Sequence, residues 1–277
     1  MKGSLRKFIG RLPHGQKRLL KRARYFPSDL WTRLTRGDST LPPKWLRFDS
    51  ESDFEEVGNH LLSLCVEYGG LQPSCDVLDI GCGVGRFARP LTGFLSSDNH
   101  YEGFDVDALA INWCRNHLAK RHPNFGFQHV SVVNDHYNPD AAVNGDQFQF
   151  PYENDSFDFA VATSLFTHLA SDDATRYLME TSRVLKPEGK ALLTWYVIED
   201  EQIEPAKDLS LSFQHRVDKH SFTDTPHNPG AAMAFSRHFT LQAIREAGLS
   251  VVGDIQPGTW RGDAGPTFQD LIIVSKD

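Results

Sequence analysis

Val77-Leu78-Asp79-Ile80-Gly81-Cys82-Gly83-Val84-Gly85-Arg86 is the stretch on which the fold turns. A short apolar run of strand type leads into three glycines at alternate positions, and a helical pattern follows. Glycines there allow a sharp turn and let the backbone approach a ligand closely. In open α/β sheets, ligands lie beyond the carboxyl ends of the strands, where such a turn sits.

Outward from the turn, strands and helices alternate. The patterns predict a helix over about 53–68, ending at Gly69-Gly70, and another over 85–95. Strand 100–104, helix 108–120, strand 125–133 and strand 157–163 come next. Helix 174–185 is closed by Lys186-Pro187-Glu188-Gly189 and followed by strand 191–198. A helix over 239–247 then precedes strands 249–255 and 267–274, with no helix between those two. The expected fold is α/β: a doubly wound, Rossmann-like, mostly parallel sheet of seven strands with an antiparallel edge hairpin. Residues 199–237 show no clear periodicity, and so long a stretch inside a domain reads as a substrate lid.

The formal net charge of -7 hides two regions. Met1–Arg47 holds 13 Lys/Arg against Asp29 and Asp38, about +11, which leaves about -18 for the remaining 230 residues. This marks residues 1–50 as a basic helical arm with a Pro-rich linker at Leu41-Pro42-Pro43, and 51–277 as the main domain. Leu5, Phe8, Ile9 and Leu12 share one helical face, and Pro13 should end that turn. Leu19, Leu20, Ala23, Phe26, Leu30 and Trp31 form a second run among basic residues. Such a segment suits an anionic membrane surface through residues 1–35. It also suits nucleic acid phosphates, an organellar presequence, or packing on the acidic domain. No run approaches the roughly 20 apolar residues of a membrane-spanning helix. No apolar h-region lies near Met1, which argues against secretion. Cys65, Cys75, Cys82 and Cys114 form no CxxC pair and fit neither a disulfide framework nor a zinc site. The cytoplasm, with membrane association through the arm, is the expected location.

The glycine turn is not a dinucleotide fingerprint, because Arg86 stands where the third glycine of that pattern belongs. Asp79, on the strand just before the turn, would repel a pyrophosphate and favour a ligand with an ammonium group. Here the chain resembles the class I S-adenosylmethionine-dependent methyltransferases, in a bacterial subgroup of unassigned substrate. The resemblance implies that Asp79 orients the methionine amine of S-adenosylmethionine and that Gly81, Cys82, Gly83 and Gly85 line the cofactor. Arg86, and less so Arg89, can reach its carboxylate. Asp105 ends the next strand, 24 residues after Gly81, where an acid hydrogen-bonds ribose hydroxyls. Helix capping is the other reading of Asp105, but Asp107 fits a cap better.

Phe150-Pro151-Tyr152 to Ser156-Phe157-Asp158 is similar to the family's segment entering the fourth strand. Leu185-Lys186-Pro187-Glu188-Gly189 is similar to its later turn, and the resemblance covers about 55–275. Where the family often has an acid that reads the adenine amine, this chain has Asn134, followed by Asp135. Asn134 is assigned to the adenine, and Ser164 joins the cofactor-contacting set.

Methyl transfer is an in-line displacement that gains most from alignment, and a hydroxyl acceptor gains further from a general base. His168, after the fourth strand, is the catalytic candidate, against a packing or capping role; Asp135 and His136 are alternatives. Trp260 and Arg261 can stack on and pair with an acceptor. Gln269 and Asp270 can hydrogen-bond it. The spacing of His215, His220 and His227 is unlike a metal site, so no metal is expected. The expected activity is O-methylation of a small molecule or glycan, lipid-linked ones included. RNA methylation is the alternative, disfavoured by the acidic main domain, and a non-catalytic cofactor-binding scaffold is the rival from another class.

Overall fold

The computed structural model describes residues 14–37, 40–47, 53–133, 143–199 and 211–277. The helices are α1 (His14–Arg36), α2 (Phe54–Glu67), α3 (Ala88–Leu91), α4 (Ala108–Cys114), α5 (Ser171–Val184) and α6 (Arg237–Glu246). The strands are β1 (Val77–Ile80), β2 (Tyr101–Asp105), β3 (Phe125–His129), β4 (Phe157–Ala162), β5 (Leu185–Trp195), β6 (Val197–Ile198), β7 (His215–Arg216), β8 (Ser221–Thr223), β9 (Met233–Ser236), β10 (Leu249–Val251) and β11 (Asp270–Lys276).

Seven strands form one sheet in the order β10-β11-β5-β4-β1-β2-β3. β1 pairs in parallel with β2 and β4. Chain order reverses between β1 and β4, which is the switch point where α/β folds bind ligands. β11 runs antiparallel to both β5 and β10, so the expected hairpin forms with β11 inserted between β10 and the parallel strands.

All four residues of β1 are buried, as in a parallel sheet covered on both faces. Leu78 and Ile80 join Phe104, Phe150, Leu178 and Ile244 on the face covered by α5 and α6. Val77 joins Leu64, Leu91, Tyr101, Ile111 and Phe127 on the face covered by α2, α3 and α4. Alternate side chains pointing to opposite faces make one short strand a member of both cores.

Several elements differ from the sequence reading. The helix after the glycine turn has only four residues, since turns occupy Gly83–Phe87. The helix expected over 108–120 is α-helical to Cys114 and finishes as a π-helical turn, Arg115–Ala119. Lys186–Gly189 does not separate a helix from a strand. It bulges out of β5, whose register jumps from Phe157↔Leu185 to Phe159↔Lys190, with Glu188 at φ 65°. The stretch read as aperiodic carries, in its described part, β7, β8 and β9, which join β6 in a second sheet of order β6-β9-β8-β7.

The arm's second run is α1, and its linker packs on the domain. Leu41, Trp45 and Leu46 meet Phe54, Val84, Ala110 and Trp113. The Leu5–Leu12 face lies outside the described residues. No helix among those described is long and apolar enough to cross a membrane.

Gly85 (φ 75°) sets how closely the turn sits on α4: a Cβ there would lie 2.7 Å from Leu118 Cδ1 and 3.2 Å from Cys114 Sγ. Gly85→Ala is expected to destabilise the domain by roughly 2–4 kcal/mol, from overpacking plus a left-handed backbone. A urea midpoint equal to that of the parent protein contradicts this.

Candidate functional site

The glycine turn folds over a buried carboxyl group. Gly81, Gly83 and Gly85 have φ of 79°, 52° and 75°, so each lies in the region that favours glycine. Nothing lies within 4 Å of where a Gly83 Cβ would be, which leaves open space beside that backbone. Beneath the turn Asp79 is only 3% exposed, and its Oδ2 accepts a 2.7 Å hydrogen bond from the Tyr101 hydroxyl. Gly103 pairs with Asp79 across β1 and β2 and makes this contact possible. A Cβ on Gly103 would come within 2.8 Å of the Tyr101 hydroxyl and 2.9 Å of Cys82 Cβ.

Burial pushes the Asp79 carboxyl up to about 7. The Tyr101 hydrogen bond opposes that rise, the Asp105 charge adds to it, and Arg86 draws it down. Asp105 ends β2 with Oδ2 accepting from Gly83 N (2.8 Å) and Oδ1 from Asp107 N (2.8 Å). Burial raises its pKa too, and those two backbone donors limit the rise. Asp107, not Asp105, is the cap of α4, accepting from Leu109 N and Ala110 N. Cys82 and Cys114 both direct Sγ at the Gly83 carbonyl oxygen, at 3.8 and 3.7 Å, and burial holds both thiols well above the usual range. They pack as apolar groups; the four described cysteines are free thiols.

The loop after β4 closes the other side. Leu165 touches the turn: a Gly81 Cβ would lie 3.2 Å from its Cδ1. Ser164, at φ 55°, donates its N–H to Thr194 Oγ1 (2.7 Å) and its hydroxyl to Gln269 Oε1 (3.2 Å). Gln269 Oε1 also accepts from Thr194 Oγ1 at 2.6 Å, while its Nε2 lies 3.4 Å from both Thr167 Oγ1 and the Tyr196 hydroxyl. His168, partly buried, places Nδ1 2.8 Å from the Gly230 carbonyl oxygen, on the segment read as a lid. A carbonyl accepts only, so the proton of the neutral ring sits on Nδ1 and the lone pair on Nε2.

The residues expected at the acceptor are placed less simply. Asp270 is fully buried and accepts from Val197 N, Gly258 N, Trp260 Nε1 and Arg261 Nη2, all at 2.8–3.0 Å. Trp260 is 5% exposed and packs edge-on to Tyr196 and Phe213, with the Arg261 guanidinium over its ring. Asp270 therefore holds Trp260 and Arg261 in place, and its oxygens are committed to the protein. The sequence could not show this, because it depends on which face of β11 residue 270 occupies. Asn134, with Asp135 and His136, lies outside the described residues. Among those described, no group of three or more His, Cys, Asp or Glu residues stands where it can hold a metal ion. Sequence reasoning missed Tyr101, Thr194 and Tyr196. A tyrosine two residues before a glycine on the strand beside Asp79 was the available signal for the first.

The donor set fits a cationic cofactor. A buried carboxyl, Asp79, whose ionisation the partly buried Asp105 makes costlier, is matched by a sulfonium or ammonium and mismatched by a pyrophosphate. Residues 78–193 match the family described as a methyltransferase domain. The chain is 30% identical over 149 residues to sterol 24-C-methyltransferase of Schizosaccharomyces pombe, covering 53% of this chain and 35% of that protein. It is 25% identical over 201 residues to arsenite methyltransferase of Aquipseudomonas alcaligenes, covering 68% and 55%. The chain thus spans about a third to just over half the length of these relatives. Its fold matches that of 1,6-didemethyltoxoflavin-N1-methyltransferase of Burkholderia thailandensis, with a TM-score of 0.51 at 14% identity, covering 96% and 90%. Residues 78–193 are thus similar to a methyltransferase domain, on a fold shared with solved S-adenosylmethionine-dependent methyltransferases, and S-adenosylmethionine is the cofactor this likeness supports.

Asp79 ties cofactor binding to pH. With a pKa of about 7, it is protonated below neutrality in the free protein, and a cationic ligand prefers the anionic form. Affinity for S-adenosylmethionine is expected to fall by up to about tenfold per unit as pH drops below about 7. Calorimetry across that range with Asp79→Asn as control checks it; equal pH dependence in both proteins contradicts it.

Proposed function

We propose that the protein is an S-adenosylmethionine-dependent methyltransferase that methylates an oxygen of a small-molecule or glycan acceptor, lipid-linked acceptors included. The observation that carries the oxygen assignment is His168. Its Nδ1 faces the Gly230 carbonyl oxygen, and Leu165 of the same loop packs on the glycine turn. On this reading His168, on the loop that follows β4, is the base, acting through Nε2.

Gly81, Gly83 and Gly85 would line the cofactor, Asp105 would take its ribose hydroxyls, and Asp79 with Arg86 would address its methionine end. Cys82, Asn134 and Ser164 complete that assignment. Bound there, S-adenosylmethionine supplies an electrophilic methyl group on a sulfonium. His168 would take the acceptor hydroxyl proton at Nε2, readying that oxygen for the methyl group the sulfonium would supply. Trp260 and Arg261, fixed by Asp270, border the acceptor side, and Gln269 ties Ser164 to β5. Phe268, 48% exposed, stands on a buried cluster of Tyr196, Phe213, Phe222 and Trp260. This supports an acceptor with an apolar or ring-shaped part.

Labelled methyl transfer into an extract of the source organism, with Asp105→Ala as the blank, tests the proposal. Label is expected in the small-molecule or lipid fraction. Label in RNA, or cofactor binding with no transfer anywhere, contradicts it. Once an acceptor is in hand, His168→Ala is expected to lower kcat by about 10²–10⁴-fold at nearly unchanged KM for S-adenosylmethionine. A full-rate variant removes His168 from the chemistry.

A further inference from the structure

Helix α1 has two unlike faces. Lys21, Tyr25, Ser28, Asp29 and Thr32 lie on the partly buried one. There Lys21 Nζ donates to the Arg47 carbonyl oxygen, and Asp29 Oδ1 accepts from Lys44 N at 2.7 Å. The opposite face carries Leu19, Phe26, Leu30 and Leu34 at spacings of seven, four and four, flanked by Leu20 and Trp31. These six side chains are 45–74% exposed. Arg22 and Arg24, also exposed, border the stripe on its two sides.

A contiguous apolar stripe left in water marks an interaction surface. The charge around it selects the partner. Met1–Arg47 carries 13 Lys/Arg against two acids. A second copy of this arm would bring two such segments together and repel. Nucleic acid phosphates would satisfy the cations and leave six large apolar side chains in water. An anionic bilayer meets both, taking Leu, Phe and Trp into its acyl boundary and the cations at its headgroups.

We propose that α1 lies in the plane of an anionic membrane surface with the Leu19–Leu34 stripe inserted. The helix reaches the glycine turn through its linker. Leu41, Trp45 and Leu46 pack with Val84, and Arg89 joins Thr40 (3.3 Å) and Glu55 (3.0 Å). Those contacts tie the docked helix to the glycine-turn side of the domain. The docking stands on the helix alone. The corollary, an acceptor drawn from the membrane, rests on the methyltransferase reading.

The test is flotation of the full chain with vesicles of phosphatidylglycerol mixed into phosphatidylcholine, and of phosphatidylcholine alone. The parent protein is expected to prefer the anionic vesicles by about tenfold or more. Leu30→Glu with Trp31→Glu should abolish binding, and Arg22→Glu with Arg24→Glu should weaken it. Tryptophan emission should shift to the blue on binding, and Trp31→Phe should remove that shift. S-adenosylmethionine binding, measured on every variant, should be unchanged; this separates failure of docking from failure of the cofactor site. No flotation at low salt overturns the proposal, as does flotation that survives the Leu30 and Trp31 changes. So does a concentration-dependent dimer that those changes dissociate, or tighter binding to RNA than to anionic vesicles.

Discussion

The hydrogen bond from Tyr101 to Asp79 is the contact around which the ligand end of the sheet is organised. It places a carboxyl at the end of a fully buried strand, directly before a turn that only glycines can follow. Leaving such a group without a partner would cost on the order of 1–3 kcal/mol, more if ionised. Tyr101 supplies that partner, and the absence of a side chain at Gly103 gives its hydroxyl the room to do so. The same geometry leaves the site rich in carboxylate and poor in compensating cations, with Arg86 as the cation that draws Asp79 down. A site with that balance selects a positively charged ligand before any shape is considered.

A second buried carboxylate organises the opposite end of the ligand edge. Asp270 gathers two backbone N–H groups, an indole and a guanidinium, so the start of β11, the turn at 258–261 and the end of β5 are locked together. Buried charge is tolerable only when it is this well satisfied. The polar chain of Ser164, Thr194, Gln269, Thr167 and Tyr196 then links that corner to the loop carrying His168. The loop carrying His168 and the cluster of Tyr196, Phe213 and Trp260 are thus held by one continuous set of contacts.

The sheet was legible because its signals are long-range in sequence and redundant: apolar strands, alternating helices, and glycines at one turn. The position of Asp79 and Asp105 on neighbouring strands beside the glycine turn was legible because apolar strand runs lead directly into it. The second sheet was not, because strands of two to four residues carry too few alternations to show a period. The Lys186–Gly189 stretch was half-read: its turn chemistry is present, but the turn is spent inside β5 as a bulge. Asp270 was misplaced for a different reason. Position along a strand was deducible, yet the direction of its side chain depended on Val197 and Trp260, which approach from distant segments.

On our reading the glycine turn with Asp79 and Asp105 suits a sulfonium- and ammonium-bearing nucleoside and not a dinucleotide. Calorimetric titration of the full chain with S-adenosylmethionine and, in parallel, with NAD tests this most directly. Saturable one-site binding of S-adenosylmethionine, lost in Asp105→Ala, and no binding of NAD are expected. NAD binding in its place, or no S-adenosylmethionine binding by a folded protein, would contradict it.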